Sequence, residues 1–193
     1  MSPSTVLVTG ASRFVGGQLA ARLAADPTID RVLAVDAVLP RPELSRRLGR
    51  AEFVPIDLRS PSIAKVISDA KVDTVVHASL SATPGSSGGP KNGRSAMKEL
   101  NVIGTMQLLA ACQRSTTVTR LVVKSTAAVY GISSHDQAVF TERDEPNGFR
   151  NPDMPRTPWR SRATSVVSLG GARMWTSRYC ASPTSSVRVS IPR

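Results

Sequence analysis

The chain is short of several things at once. Only 4% of its 193 residues are aromatic, it has two histidines and two cysteines, and no apolar run approaches the roughly eighteen residues that argue for a membrane span. Cys112 and Cys180 lie far apart without metal-ligand spacing, so one buried thiol and one incidental thiol are expected, and no metal site. No basic region followed by an apolar core opens the N-terminus, which argues against a signal peptide and sets a cytoplasmic location as the expectation. Lysine is missing after Lys124, and from Arg150 onward a single acid, Asp153, stands against eight arginines. That stretch alone carries +7 of the net +11, leaving about +4 for the first 149 residues, an ordinary balance. Nucleic acid is therefore not the expected partner, despite the arginines.

What is present is a core. A hydrophobic content of 40% in a chain of this length fits one globular domain. Up to about residue 131 short runs of Val, Leu and Ile alternate with helical patterns. "TVLVT" (5–9), "RVLAVD" (31–36), "AEFVPID" (51–57), "DTVVHA" (73–78) and "RLVVKS" (120–125) read as strands buried on both faces. Between them Val15, Leu19, Ala20 and Leu23 share one helical face, Ile63, Val66 and Ile67 a second, and Leu100, Ile103, Met106, Leu109 and Ala110 a third. Parallel strands need crossovers of a dozen or more residues, so this spacing predicts a doubly wound α/β domain with a parallel sheet. The Gly-, Ser- and Pro-rich stretch 82–94 follows the fourth strand, at the edge where such sheets bind ligands; a flap over substrate and a plain long loop both remain open. From 148 to 193 the chain turns to Arg, Ser, Pro and Thr without sustained periodicity. It reads as an irregular tail beside a domain spanning 1–147.

The chemistry starts at "TGASRFVGG" (9–17), between the first strand and the first helix. Gly10 would close the tight turn, Gly16 would let the helix sit close to the sheet, and the helix N-terminus would offer N–H groups and a positive dipole end to a pyrophosphate. Arg13 occupies the middle position, where a glycine is usual. It obstructs the phosphate unless its side chain turns outward, where the guanidinium could itself pair with that phosphate. Asp36 ends the second strand twenty residues after Gly16, where a carboxylate accepts both ribose hydroxyls of an adenosine and repels a 2′-phosphate. NAD is thus expected over NADP, with Arg13 and Arg41 as the cations that could reverse the preference. Asp57 closes the third strand at the same edge, either as part of the site or as an N-cap or turn acid before the helix at 61–70.

With "NVIGTMQLLAAC" (101–112) and "KSTAAVYG" (124–131) added, the chain over about residues 4–131 resembles the extended short-chain dehydrogenase/reductases. Within them it is similar to the NAD-dependent epimerase/dehydratase family, most of all to UDP-glucose 4-epimerases. The resemblance implies a Rossmann-like fold, incomplete on its C-terminal side, with NAD as cofactor, a nucleotide-sugar substrate and a homodimer in an intact parent. It places Gly10, Ser12, Arg13, Phe14, Val15 and Gly16 along the pyrophosphate turn, Asp36 at the ribose, and Asp57 and Leu58 at the adenine edge. His77, Ala78 and Ser79 would run past the cofactor, as would Ser125, and Asn101 would tie the long helix to a neighbouring strand. Thr126 takes the place of the residue that hydrogen-bonds the reacting sugar hydroxyl, and Tyr130 that of a structural or substrate-lining tyrosine.

The family's general base is a Tyr with a Lys four residues later, and this chain has no such pair. Tyr130 is followed at that distance by Ser134 and Tyr179 by Pro183. The genetic code suggests a reason. "TPWRSRATS" (157–165) can be encoded by bases that, read one position earlier, give DAVEIEGYV, and in the same frame "MWTSRYCASPTSSVR" (174–188) gives DVDVTVLRFANFIGP, which resembles the family's next strand and loop. A shifted frame from about Gly148 would explain the tail; a genuine, unrelated tail is the alternative. Even the other frame sets any tyrosine two residues before its lysine, not four. The expected function is an epimerase/dehydratase-like protein, inactive as written, with a non-catalytic NAD-binding or regulatory module as the alternative.

Overall fold

The computed structural model describes residues 4–80 and 99–124, together with the backbone of two strands, 176–180 and 186–190. In chain order the elements are β1 (Thr5–Thr9), α1 (Phe14–Ala25), β2 (Arg31–Asp36), α2 (Pro42–Arg47), β3 (Glu52–Pro55), α3 (Ser62–Asp69) and β4 (Thr74–His77). A π-helical turn (Leu100–Gly104) then runs into α4 (Thr105–Arg114), followed by β5 (Arg120–Lys124), β6 (Thr176–Cys180) and β7 (Ser186–Ser190). The spatial order is β3-β2-β1-β4-β5-β7-β6, and the first five strands are parallel. This is a doubly wound, Rossmann-like sheet whose strand order reverses at β1. The five strands predicted from apolar runs are observed to within two residues.

Both faces of the sheet are covered, which is why its strands carry apolar residues continuously. Alternate side chains of β1 go to opposite layers: Val6 and Val8 pack with Ala20 and Ala24 of α1, whereas Leu7 packs with Ile63 and Ile67 of α3 and Leu108 and Ala111 of α4. Leu7, Ile63, Ile67 and Leu108 are each 0% exposed. Burial on this scale stabilises by about 1.5–3 kcal/mol per side chain. Cys112 is free and lies in the same layer, where burial pushes its thiol up to about 12, so it is the buried one of the two cysteines.

One helix went unpredicted. α2 is six residues long, opens with Pro42, and offers Leu44 and Leu48 as its apolar contacts, too few for a 3.6-residue period to register. Leu44 lies over Gly17 of α1, where a Cβ would come within 2.6 Å of it. The tail differs from its sequence reading as well. No strand is expected within 148–193, yet β7 pairs antiparallel with β5 from Ser186↔Lys124 to Ser190↔Arg120, and β6 pairs antiparallel with β7. The strict alternation in "SVRVS" is a period-2 signal too short to stand out.

Candidate cofactor site

The carboxyl ends of β1, β2 and β4 converge beside the N-terminus of α1, and the glycine turn makes that convergence tight. Gly10 has φ +74°, a left-handed conformation, and a Cβ on it would lie 2.8 Å from the Ser79 Cα. A Cβ on Gly16 would stand 2.2 Å from the Gly10 carbonyl oxygen, so the first turn of α1 touches the strand exit backbone to backbone. Arg13 caps the helix in extended backbone (φ −97°, ψ 159°) without a side-chain cap bond, and its carbonyl accepts the Gly17 N–H at 2.8 Å. The N–H groups of Phe14, Val15 and Gly16 belong to the turn that a helix leaves unpaired internally. Phe14 and Val15 are exposed, at 77% and 39%.

Asp36 is drawn onto this turn. Its Oδ2 accepts the Ser12 backbone N–H at 3.1 Å and its Oδ1 accepts the Val38 N–H at 3.3 Å, while the Ser12 hydroxyl donates to the Val38 carbonyl. These bonds orient the carboxylate and leave lone pairs for further donors. The spacing argument that put Asp36 beside the glycine turn is therefore matched in three dimensions.

Asp57 sits beyond β3, where its own contacts are local. It accepts the Arg59 N–H at 2.9 Å and forms an ion pair with the Arg59 guanidinium at 2.5 Å, and Arg59 reaches on to Glu99 at 3.3 Å. The Arg59 hydrogen bonds hold the Asp57 carboxyl below its usual range. Helix α3 starts instead at Ser62 after Pro61, without a side-chain cap. Leu58 is buried, and a Cβ on Gly104 would come within 3.2 Å of the Leu58 Cβ, so the π-helical turn bearing Asn101 packs directly over the β3 exit.

On the β4 side the polar groups are buried. His77 bridges Thr9 and Thr105, its Nδ1 lying 2.9 Å from the Thr9 Oγ1 and its Nε2 2.9 Å from the Thr105 Oγ1. The Thr9 hydroxyl also meets the Ser79 Oγ at 3.3 Å and accepts the Ala78 N–H at 3.2 Å. Burial, helped by the Lys124 charge, pushes the imidazole down to about 4, so it is neutral. Arg13 reaches across to this side, its Nη1 donating to the Ser79 carbonyl at 3.1 Å. Thr9, Thr105, Arg59 and Lys124 were not singled out from sequence. Thr105 stands four residues after Asn101, and Lys124 is a cation closing an apolar strand; both are visible signals in retrospect. Ser125, Thr126, Tyr130 and the stretch 82–94 lie outside the described residues.

Strand order, glycine turn and acid at the end of β2 together define a dinucleotide-binding α/β domain. Residues 6–158 match the model of the NAD dependent epimerase/dehydratase family, and the chain belongs to that family. An uncharacterized protein of Mycobacterium tuberculosis is 57% identical over 140 residues, which cover 72% of this chain and 36% of that protein; one of Mycobacterium bovis matches equally. The chain thus spans about a third of the length of the curated relatives it matches. A UDP-glucose-4-epimerase from Stenotrophomonas maltophila, solved with bound NAD and formylated UDP-arabinopyranose, is 27% identical with TM-score 0.57, over 68% of this chain and 40% of that one. A UDP-glucose 4-epimerase from Brucella ovis in complex with NAD is 25% identical with TM-score 0.55, over 68% and 38% respectively. No described helix is long and apolar enough to cross a membrane.

Proposed function

We propose that the chain carries the NAD-binding part of a nucleotide-sugar epimerase or dehydratase and does not itself turn over a sugar. The observation that carries the binding half is the Ser12 N–H to Asp36 bond at 3.1 Å, which fixes a carboxylate beside a glycine turn too tight to admit any side chain at Gly10 or Gly16. The donor set fits the cofactor: unpaired N–H groups at the start of α1 for the diphosphate, Asp36 for the adenosine ribose, and Asp57 with Leu58 at the adenine edge. His77, Ala78 and Ser79 line the path toward the nicotinamide, and Asn101, Ser125 and Thr126 are assigned the roles the family resemblance implies. NAD, once bound, supplies the hydride acceptor and donor. The chain's own residues bind it, orient it and keep water from its inner side.

Nucleotide-sugar chemistry is favoured for the parent because two similar solved structures, 27% and 25% identical and both determined with NAD, are UDP-glucose 4-epimerases. Inactivity is favoured because no tyrosine has a lysine four residues later. The same absence supports the second reading, a non-catalytic NAD-binding module. We read 148–193 as the product of a shifted frame and foreign to the family fold; against that reading stand the family match, which runs on to residue 158, and the pairing of β7 with β5. A cytoplasmic location and a homodimeric parent remain part of the proposal.

Calorimetric titration of the 193-residue chain with NAD tests the reading. Saturable binding, weakened in Asp36→Ala, is expected, and no binding would overturn it. UDP-glucose should give no UDP-galactose; measurable epimerisation would refute the inactivity. Sequencing the gene across this region tests the tail, since an alternative frame with an early stop there would sink the frameshift.

A further inference from the structure

The extended backbone of Arg13 suits any residue, so nothing in the turn at that position calls for glycine. What the arginine adds is a side chain that spans the crevice. From the N-terminus of α1 it reaches the end of β4 and donates one bond, from Nη1, to the Ser79 carbonyl. A guanidinium has five N–H donors in a planar fork, so a single bond to a carbonyl anchors it without exhausting it. The ion pairs among the described residues are Arg31–Glu52, Arg59–Asp57 and Arg59–Glu99, and none involves Arg13. A second cation stands on the neighbouring strand: β5 pairs with β4 through Val123↔His77, so Lys124 closes β5 level with Ala78, one residue before the carbonyl that anchors Arg13, and burial, with the Arg13 charge, holds its ammonium below its usual range. Like charges at one sheet edge repel, and an anion bound there relieves the repulsion. The same crevice receives the positive end of the α1 dipole.

We propose that Arg13 is a diphosphate clamp: anchored on the Ser79 carbonyl, its guanidinium pairs with the diphosphate bridge of the bound dinucleotide, with Lys124 as the supporting charge. The proposal rests on the NAD reading and extends it, because it turns the chain's departure from the glycine pattern into a contact. A bare glycine turn holds the diphosphate with neutral backbone donors; this chain adds a charged fork, whose pairing with phosphate is bidentate and charge-assisted.

Titration of the full chain and its variants with NAD and with ADP-ribose, each at low and high salt, tests the clamp. Arg13→Gly should weaken both ligands by about tenfold to a hundredfold, the loss expected for one hydrogen-bonded charge contact, and should flatten the salt dependence. Arg13→Lys should recover part of the affinity, and Lys124→Gln should cause a smaller drop. Arg13→Gln keeps a donor for the Ser79 carbonyl but no charge, so it should retain the wild-type melting temperature and still lose affinity. If Arg13→Gly or Arg13→Gln binds NAD as tightly as the wild type or tighter, the clamp is wrong and the guanidinium is an obstruction. If the wild type binds NAD and Asp36→Ala weakens it while both Arg13 variants do not, the clamp alone fails. Absence of NAD binding by the wild type overturns clamp and cofactor reading together.

Discussion

The crevice has two unlike walls. At the ends of β1 and β4, Thr9, His77 and Ser79 are 0%, 1% and 5% exposed and hydrogen-bond one another. At the ends of β2 and β3, Asp36, Asp57 and Arg59 meet solvent, and Asp57 and Arg59 keep 34% and 43% of their side-chain surface. Buried polar groups are held by the fold and are costly to disturb, whereas exposed ones cost little and are shaped for a ligand. Stability should therefore answer to changes in the dry wall and binding to changes in the wet one. Four experiments bear on that division.

The largest effect is expected at the hinge between the walls. Gly16→Ala sets a Cβ 2.2 Å from the Gly10 carbonyl oxygen, a clash with the backbone at the β1 exit, so α1 must move away from β1. A loss of about 3–5 kcal/mol is expected in chemical denaturation, with NAD binding abolished. A variant that melts like the wild type would show that the helix has room to slide.

Removing the centre of the dry wall comes next. His77→Ala leaves the Thr9 and Thr105 hydroxyls facing a hole where the ring bridged them. The Thr9 hydroxyl keeps Ser79 and the Ala78 N–H, so the cavity together with the lost bond to Thr105 puts the loss at about 3 kcal/mol. Adding imidazole to the variant should restore part of its melting temperature, and a loss well below 1 kcal/mol would mean that water replaces the ring at no cost.

The same residue sets a pH dependence. Its folded pKa is about 4 against an ordinary 6.5, so the unfolded chain binds the proton more readily between those values. The stabilisation is complete above pH 6.5 and is lost as pH falls toward 4, amounting to at most about 3 kcal/mol for the shift. Denaturant midpoints measured across that window should fall for the wild type and stay flatter for His77→Ala. Parallel profiles would assign the acid sensitivity to other groups.

How far each wall was legible follows from the same physics. The sheet was readable because burial on both faces leaves nearly continuous apolar runs, and "TVLVT" and "RVLAVD" carried even the correct strand ends. Asp36 was readable because one acid at a strand end, at fixed spacing from a glycine turn, is a local pattern. The dry wall was not, since Thr9, His77 and Thr105 meet through tertiary packing across 28 and 68 residues of sequence. Only a family resemblance pointed to His77, and nothing pointed to its partners. Arg13 was visible as an anomaly, but its anchor on Ser79 lies 66 residues away. Helix α2 was hidden by its brevity, and the tail strands by a composition that alternates over only five residues.

The smallest effect on stability is expected on the wet wall, and it separates the walls most sharply. Asp57→Asn removes the charge that pairs with Arg59 while keeping an oxygen that can accept the Arg59 N–H. Both groups are a third or more exposed, so water screens the pair and the stability change should stay below about 1 kcal/mol. Asp57 is held below its ordinary value of 3.8, so its contribution is present above that value and is lost only as pH falls below it, outside the window in which His77 acts. If Asp57 lies at the adenine edge as proposed, NAD affinity should nevertheless fall several-fold in Asp57→Asn, with the melting temperature unchanged. A variant that loses stability and keeps its affinity would make Asp57 part of the scaffold, and the division between the walls would then run between Asp36 and Asp57.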